Sequence, residues 1–210
     1  MIRILVADDH AIVREGLKQI LSGMHDMIVA GEASDGYQAL DQARKGDYDL
    51  VLLDIAMPGM SGLDVLKQLK SEKAELPILM LSMYPEEQYA IRSLKAGASG
   101  YLAKESAPEE LIAAVRKVSQ GGKYVTSSLA EKLATYLYPD RERSLHELLS
   151  DREYQVVLMI ASGKTVSEIA NALSLSVKTI STNRSRALAK MGMKTNAEIT
   201  HYAISNGLVA

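Results

Sequence analysis

Four short apolar runs in this chain each end beside a residue that can carry chemistry. Ile2 to Ala7 is followed by Asp8-Asp9, Leu50 to Leu53 by Asp54, Ile78 to Leu81 by Ser82, and Tyr101 to Ala103 by Lys104. Runs this short suit strands buried on both faces, as in a parallel sheet. Parallel strands share a direction, so their carboxyl ends lie along one edge, where open α/β sheets bind ligands. The pattern predicts three carboxylates, a hydroxyl and an ammonium gathered at one rim. That set can hold a divalent metal and a phosphoryl group.

Between strand segments 2–7, 27–33, 49–53, 77–81 and 100–103 lie amphipathic stretches. Val13, Leu17, Ile20 and Leu21 recur at helical spacing, as do Leu111, Val115 and Val118. Five βα repeats with short connections predict a (βα)5 doubly wound parallel sheet over residues 1–120. Gly121-Gly122 closes that pattern. Residues 121–147 read as a polar linker with one short helix, about 127–137. From residue 148 to 210 the strand signals vanish and an all-α domain of four helices fits: 151–161, 165–173, 176–191 and 195–205. Ser150 and Glu153 form a capping-box signature at the first of these. Gly163, Gly192 and Gly207 sit where helices should stop.

Charge separates the two halves. Residues 1–120 hold 13 Lys/Arg and 18 Asp/Glu, a net −5, while residues 121–210 hold 11 and 8, a net +3. Five cations and no anion fall within 176–194, which suits a half that meets a polyanion. Cysteine is absent, which excludes disulfides and thiolate metal sites. The amino terminus reaches Asp8 too soon for a signal peptide, and no apolar stretch approaches the ~18 residues of a membrane span. A cytoplasmic location, away from membranes, is expected.

The rim chemistry can be read before any family is considered. A carboxylate that attacks a phosphoryl group needs positioning and neutralisation of the equatorial oxygens. Mg²⁺ prefers carboxylate and water oxygens and can sit between two anionic partners. Asp8, Asp9 and Asp54 supply oxygens, Lys104 neutralises one phosphoryl oxygen, and Ser82 donates to another. Taken singly, an Asp-Asp pair after a strand is more often a helix cap, and a Lys there is usually solvated. All four sites at successive strand ends favour the joint reading.

The segments Ala7-Asp8-Asp9-His10, Leu53-Asp54-Ile55-Ala56-Met57-Pro58-Gly59, Leu81-Ser82, Lys95 to Tyr101 and Leu102-Ala103-Lys104 resemble a receiver domain of two-component signalling. The resemblance implies that Asp54 accepts a phosphoryl group from a histidine kinase. It implies direct Mg²⁺ contacts from Asp9, Asp54 and the carbonyl of Ala56, with Asp8 acting mainly through water. It makes Ser82 and Tyr101 a switch in which the hydroxyl moves onto the phosphoryl group and the ring turns inward. In receivers the residues two after the acceptor and two after the switch hydroxyl can orient hydrolytic water. Here they are Ala56 and Tyr84, neither acid nor amide, so a long-lived phosphorylated state is expected.

In the carboxy-terminal half, residues 164–191 read as helix, tight turn, helix. Ile169, Ala170 and Leu173 are expected to pack the first helix. Val177, Ile180, Leu188 and Met191 form an apolar stripe on the second. Short polar side chains flanked by cations suit a helix lying in a major groove. An ordinary helix pair with a solvated face is the competing reading. Arg184 falls within the apolar stripe by phase, so its stem is expected to pack while its head reaches water.

Leu149-Ser150-Asp151-Arg152-Glu153, Gly163 to Ala170, Ser176 to Ser181 and Lys190-Met191-Gly192 are similar to a LuxR-type helix-turn-helix. With the receiver in front, the whole chain resembles the NarL/FixJ family of response regulators. By position Ser181, Thr182 and Ser185 would read bases, while Lys178, Thr179, Arg184, Arg186 and Lys190 would meet phosphates. The family implies a sensor histidine kinase, double-stranded DNA and a homodimer on DNA as partners, with RNA polymerase a candidate. It implies no enzyme activity beyond the receiver's own phosphorylation and dephosphorylation. A haloacid-dehalogenase-type phosphatase would place its nucleophile in an Asp-x-Asp element, which the adjacent Asp8-Asp9 does not match.

Overall fold

In the computed structural model, residues 1–84, 86–136 and 144–209 are described. The chain forms two compact units, Met1–Thr135 and Tyr136–Ala210. The first contains five parallel strands: β1 (Ile2–Ala7), β2 (Met27–Ala33), β3 (Leu50–Asp54), β4 (Ile78–Ser82) and β5 (Gly100–Ala103). Their spatial order is β2-β1-β3-β4-β5. Helices α1 (Ala11–Ser22), α2 (Gly36–Lys45), α3 (Gly62–Glu72), α4 (Glu86–Lys95) and α5 (Pro108–Ser119) fill the crossovers. Side chains alternate across each strand. Ile4, Val6, Leu50, Leu52, Leu79, Leu81 and Leu102 therefore meet Leu17 and Leu21 of α1 and Leu111, Val115 and Val118 of α5 in one buried cluster. The central strands β3 and β4 are buried along their whole length, which is why they read as unbroken apolar runs.

β3 and β4 each run one residue further than the apolar pattern suggests. Asp54 pairs with Leu81 and Ser82 with Ala103 in the parallel ladder, so both polar residues end strands rather than follow them.

The first compact unit also extends past residue 120. The Tyr124 N–H donates to the Ser99 carbonyl at 2.9 Å, and Tyr124 bridges to Gly100 at the edge of β5. Thr126 caps α6 (Ser127–Tyr136) at Leu129 and its hydroxyl reaches Glu86 at 2.7 Å, while Leu129 is fully buried. The start of the segment expected to be a linker is thus packed on the first unit. Residues 137–143, including the expected helix end at 137, lie outside the described residues.

The second unit holds a 3-10 turn (Leu145–Leu148) and helices α7 (Asp151–Ala161), α8 (Val166–Ala172), α9 (Val177–Met191) and α10 (Asn196–Ser205). Capping boxes start α7, α8 and α10 through Ser150/Glu153, Thr165/Glu168 and Thr195/Glu198, satisfying amide donors that a helix start would leave free. α7 is buried on almost every face and forms the centre against which α9 and α10 pack. α9 ends at Gly192 in the left-handed conformation, φ 68°, which glycine adopts without steric cost.

Candidate functional site: an acidic rim and an exposed helix

The strand ends bring Asp8, Asp54, Ser82 and Lys104 together as the sequence predicts. Asp8 is 0% and Asp54 1% exposed. The Lys104 side chain is 6% exposed, and its Nζ lies 2.6 Å from Asp8 Oδ2 and 3.0 Å from Asp54 Oδ2. Lys104 is held at this depth because its own N–H donates to the Ser82 carbonyl at 2.8 Å. Gly62 fixes the loop after Asp54: its N–H donates to the Ile55 carbonyl at 3.0 Å, and a Cβ there would lie 1.9 Å from the Asp54 carbonyl oxygen. No side chain fits that approach.

Burial pushes the Asp54 carboxyl above its usual value; Lys104 opposes the shift, the Asp8 charge adds to it, and the amide of Ala56, which donates to the carboxylate, also opposes it. Three carboxylates face one ammonium, so the rim carries excess negative charge. Asp8 Oδ2 and Asp54 Oδ2 are enclosed and share the one Lys104 ammonium, while the enclosed Asp9 Oδ1 faces His10 Nδ1. One ammonium does not balance three carboxylates, and buried charge left over is costly unless a further cation meets it. Ligand atoms of Asp8, Asp9, His10 and Asp54 all lie within 4.8 Å of one another. The donor set therefore fits a small divalent cation.

Ser82 and Tyr101, the residues expected to form a switch, are linked through Tyr84. Tyr101 is fully buried and its hydroxyl donates to the Tyr84 carbonyl at 2.8 Å, while the Tyr84 N–H donates to Ser82 Oγ at 2.9 Å. The Tyr84 ring lies 5.1 Å from that of Tyr89. Its phenol is pushed up first by burial and then by the Asp54 charge, with Lys104 opposing. Tyr84 thus lies within electrostatic reach of the carboxylate. Two residues absent from the sequence reading of the rim also belong to it. Arg14 Nη1 donates to the Asp8 carbonyl at 2.8 Å, and His10 Nδ1 lies 2.7 Å from Asp9 Oδ1.

In the second unit, Ile180, Ala187, Leu188 and Met191 of α9 are buried. Lys178, Thr179, Ser181, Thr182, Ser185, Arg186 and Lys190 are exposed. Val177 was expected in the apolar stripe but is 51% exposed; at the first helical turn it precedes the region where α9 packs. The α8–α9 turn passes through Ser174 in the left-handed conformation, φ 53°. Ser176 caps α9 by accepting from the Thr179 N–H at 3.0 Å.

Individual expectations meet different fates. Arg184 is half-buried, and its guanidinium, expected to reach water, donates from Nε to Asn196 Oδ1 at 2.5 Å. The Thr182 hydroxyl donates to the Lys178 carbonyl at 2.9 Å. Lys190 is not a free cation, because its Nζ lies 2.6 Å from Glu153 Oε2. Glu153 is nearly buried; burial opposes its ionisation, but Lys190 and the Ser150 cap together hold its carboxyl below the usual value. Among the described residues no helix is long and apolar enough to cross a membrane.

Comparison with known proteins agrees with this geometry. Residues 4–116 match the response regulator receiver domain, and residues 147–203 match the bacterial regulatory proteins of the luxR family. The response regulator UvrY of Escherichia coli K12 is 38% identical over 209 residues, covering 99% of this chain and 96% of UvrY. The response regulator GacA of Pseudomonas aeruginosa is 34% identical over 210 residues, covering 100% and 98%. Among solved structures, RcsB of Salmonella enterica serovar Typhimurium bound to promoter rprA in the presence of phosphomimetic BeF3⁻ matches with a TM-score of 0.67 and 29% identity, covering 96% of this chain and 97% of that one. With a receiver of this topology followed by a LuxR-type helix-turn-helix, the chain belongs to the NarL/FixJ family of response regulators, which act in two-component regulation of transcription.

Proposed function

We propose that Asp54 is the phosphoacceptor, and that its modification controls binding of α9 to double-stranded DNA. The observation that carries this reading is Lys104, whose Nζ bridges Asp8 and Asp54 at the buried end of the sheet. A carboxylate oxygen of Asp54 attacks the phosphorus of a kinase phosphohistidine. The new P–O bond forms as the P–N bond breaks, and the imidazole leaves. Lys104 neutralises one phosphoryl oxygen and Ser82 donates to another, while the buried walls exclude water. Asp8, Asp9, Asp54 and the Ala56 carbonyl would hold Mg²⁺, which when bound neutralises charge on the carboxylates and the transferred group.

The Ser82 hydroxyl leaves the Tyr84 N–H when it turns to the phosphoryl group. Because Tyr101 is anchored on the carbonyl of that same residue, the move is communicated through the β4–α4 loop to the Tyr101 ring. Phosphorylation then shifts the population toward a receiver conformation that favours DNA binding and dimerisation. Ser181, Thr182 and Ser185 face bases; Lys178, Thr179, Arg184 and Arg186 meet phosphates, with Lys190 sharing its charge with Glu153. A sensor histidine kinase supplies the phosphoryl group, a homodimer occupies paired half-sites, RNA polymerase is a candidate contact, and the cell compartment is the cytoplasm. No reaction beyond its own phosphorylation and dephosphorylation is assigned.

Incubation of the full chain with acetyl phosphate and Mg²⁺, followed by intact-mass measurement, tests the reading. One phosphoryl adduct should form on the wild type and none on Asp54→Asn. Salt-dependent binding to duplex DNA should tighten with the adduct. An adduct that persists in Asp54→Asn would sink the assignment.

A further inference from the structure

His10 takes no part in the reading above, yet it is built into the rim. Its backbone is fixed at the start of α1, where its carbonyl accepts from the N–H groups of Val13 and Arg14 at 3.1 and 3.2 Å, and its own N–H donates to Asp8 Oδ1 at 2.9 Å. The ring is 60% exposed and makes no side-chain cap for the helix. Its Nδ1 instead faces the acids, 2.7 Å from Asp9 Oδ1 and 3.3 Å from Asp8 Oδ1. Beyond them lie the enclosed Oδ2 atoms of Asp8 and Asp54, which share the single ammonium of Lys104 at 2.6 and 3.0 Å. Four donors within 4.8 Å of one another therefore comprise three carboxylates and one imidazole.

An imidazole changes which ions such a rim prefers. Mg²⁺ is hard, binds through carboxylates and retained waters, and gains little from nitrogen. Co²⁺, Ni²⁺ and Zn²⁺ gain from an imidazole ligand, and affinities for nitrogen and oxygen sites rise from Mn²⁺ through Co²⁺ and Ni²⁺ to Cu²⁺ before falling at Zn²⁺. We propose that His10 makes the phosphoacceptor rim a mixed nitrogen–oxygen site that binds nickel-class ions more tightly than Mg²⁺: the proton that Nδ1 holds against Asp9 leaves to solvent, the ring keeps a proton on Nε2, and the freed Nδ1 lone pair meets the ion. Arg14, the nearest competing cation on α1, is already committed to the Asp8 carbonyl and to Glu32. The proposal rests on the rim being a metal site, as inferred above.

Electron paramagnetic resonance of Mn²⁺ on the full-length protein separates the two. Bound Mn²⁺ loses its free-ion signal, and a competing ion restores it. For the wild type, Ni²⁺ should displace Mn²⁺ at a concentration at least about tenfold below that required of Mg²⁺. His10→Ala and His10→Gln should each weaken Ni²⁺ by about tenfold or more while moving Mg²⁺ by less than about twofold. An unchanged Ni²⁺-to-Mg²⁺ ratio in both variants overturns the role of His10 and leaves the Mg²⁺ site standing. Failure of Mn²⁺ to bind the wild type, or binding that survives Asp54→Asn and Asp9→Asn, overturns the rim as a metal site and the proposal with it.

Discussion

The acidic rim and α9 both concentrate charge, but by opposite means. At the rim, residues from β1, β3, β4 and the end of β5 converge from distant parts of the sequence into a buried cluster where every charge must be answered. On α9, cations and short polar side chains follow one another along a single exposed face and answer to solvent. Burial makes the first arrangement intolerant of change and its chemistry readable from residue type. Exposure makes the second tolerant, and readable as an interface without revealing a base sequence. The contrast can be broken by comparing substitutions of equal chemistry in the two places.

Lys104→Ala should have the largest effect on stability. It removes the ammonium that Asp8 and Asp54, 0% and 1% exposed, share, and losing one partner of a buried pair costs about 3–5 kcal/mol. Arg186→Ala, on the exposed face of α9, should alter stability by no more than about 0.5 kcal/mol, while lowering the salt dependence of DNA binding by about one unit of slope. Calorimetry on both variants checks the first statement, and binding at several salt concentrations checks the second. Equal stability losses would abolish the distinction between the sites.

The kinetic counterpart concerns water. Ala56 offers no group to orient it, and Tyr84, whose phenol is pushed up first by burial and then by the Asp54 charge, adds neither acid nor amide. The acyl phosphate of the wild type should therefore outlast minutes. Tyr84→Asn keeps the backbone carbonyl that Tyr101 uses and adds an amide able to hold a water. It should shorten the lifetime about tenfold, less than the ~10²–10⁴-fold of a positioned general acid or base, because an amide orients water without taking its proton. Loss within seconds from the wild type would refute the reading.

The rim was legible because buried strand ends have few alternatives. Asp8, Asp54, Ser82 and Lys104 announce themselves by interrupting apolar runs, and the ladder pairs that place them follow from the parallel order. What remained hidden depends on contacts between distant segments. Tyr124 returns to the sheet beyond a Gly-Gly break that reads as an ending. The 3-10 turn at Leu145–Leu148 is tied by His146 Nδ1, 3.0 Å from the Tyr202 hydroxyl of α10. Val177 carries the right periodicity for the stripe, yet the surface it would need to cover lies further along α9. Gly62 looks like any turn glycine until the Asp54 carbonyl is placed against it.

Lys190 lies between the two regimes and sharpens the comparison. By sequence it joins the exposed cations, but the structure gives it the nearly buried Glu153, 2.6 Å away. Lys190→Ala should destabilise the second unit by about 1–2 kcal/mol, below the range for a fully buried pair because its side chain is 43% exposed. Thermal unfolding of Lys190→Ala beside Arg186→Ala decides the point. Indistinguishable melting would return Lys190 to the free cations.

The smallest expected effect has the most definite sign. Burial, with the Asp8 charge in support, raises the Asp54 carboxyl above its unfolded value, and Lys104 cancels only part of this. A group whose folded value is raised contributes best below its unfolded value. That contribution is lost as pH climbs through the folded value, because the fold then holds a charge it disfavours. In the metal-free protein at neutral pH, Asp54→Asn should therefore melt higher than the wild type, by about 2–4 °C if the relief is ~1 kcal/mol. Near pH ~4, where an unfolded Asp is half protonated, the gap should shrink. Mg²⁺ should reverse it, since a ligand at a hundredfold its Kd adds about 2.7 kcal/mol to the form that binds it, and the amide variant binds it less well. On α9 no charge is buried deeply enough for its removal to stabilise the fold, so the same experiment on Lys178→Gln should leave the melting temperature unmoved at either pH.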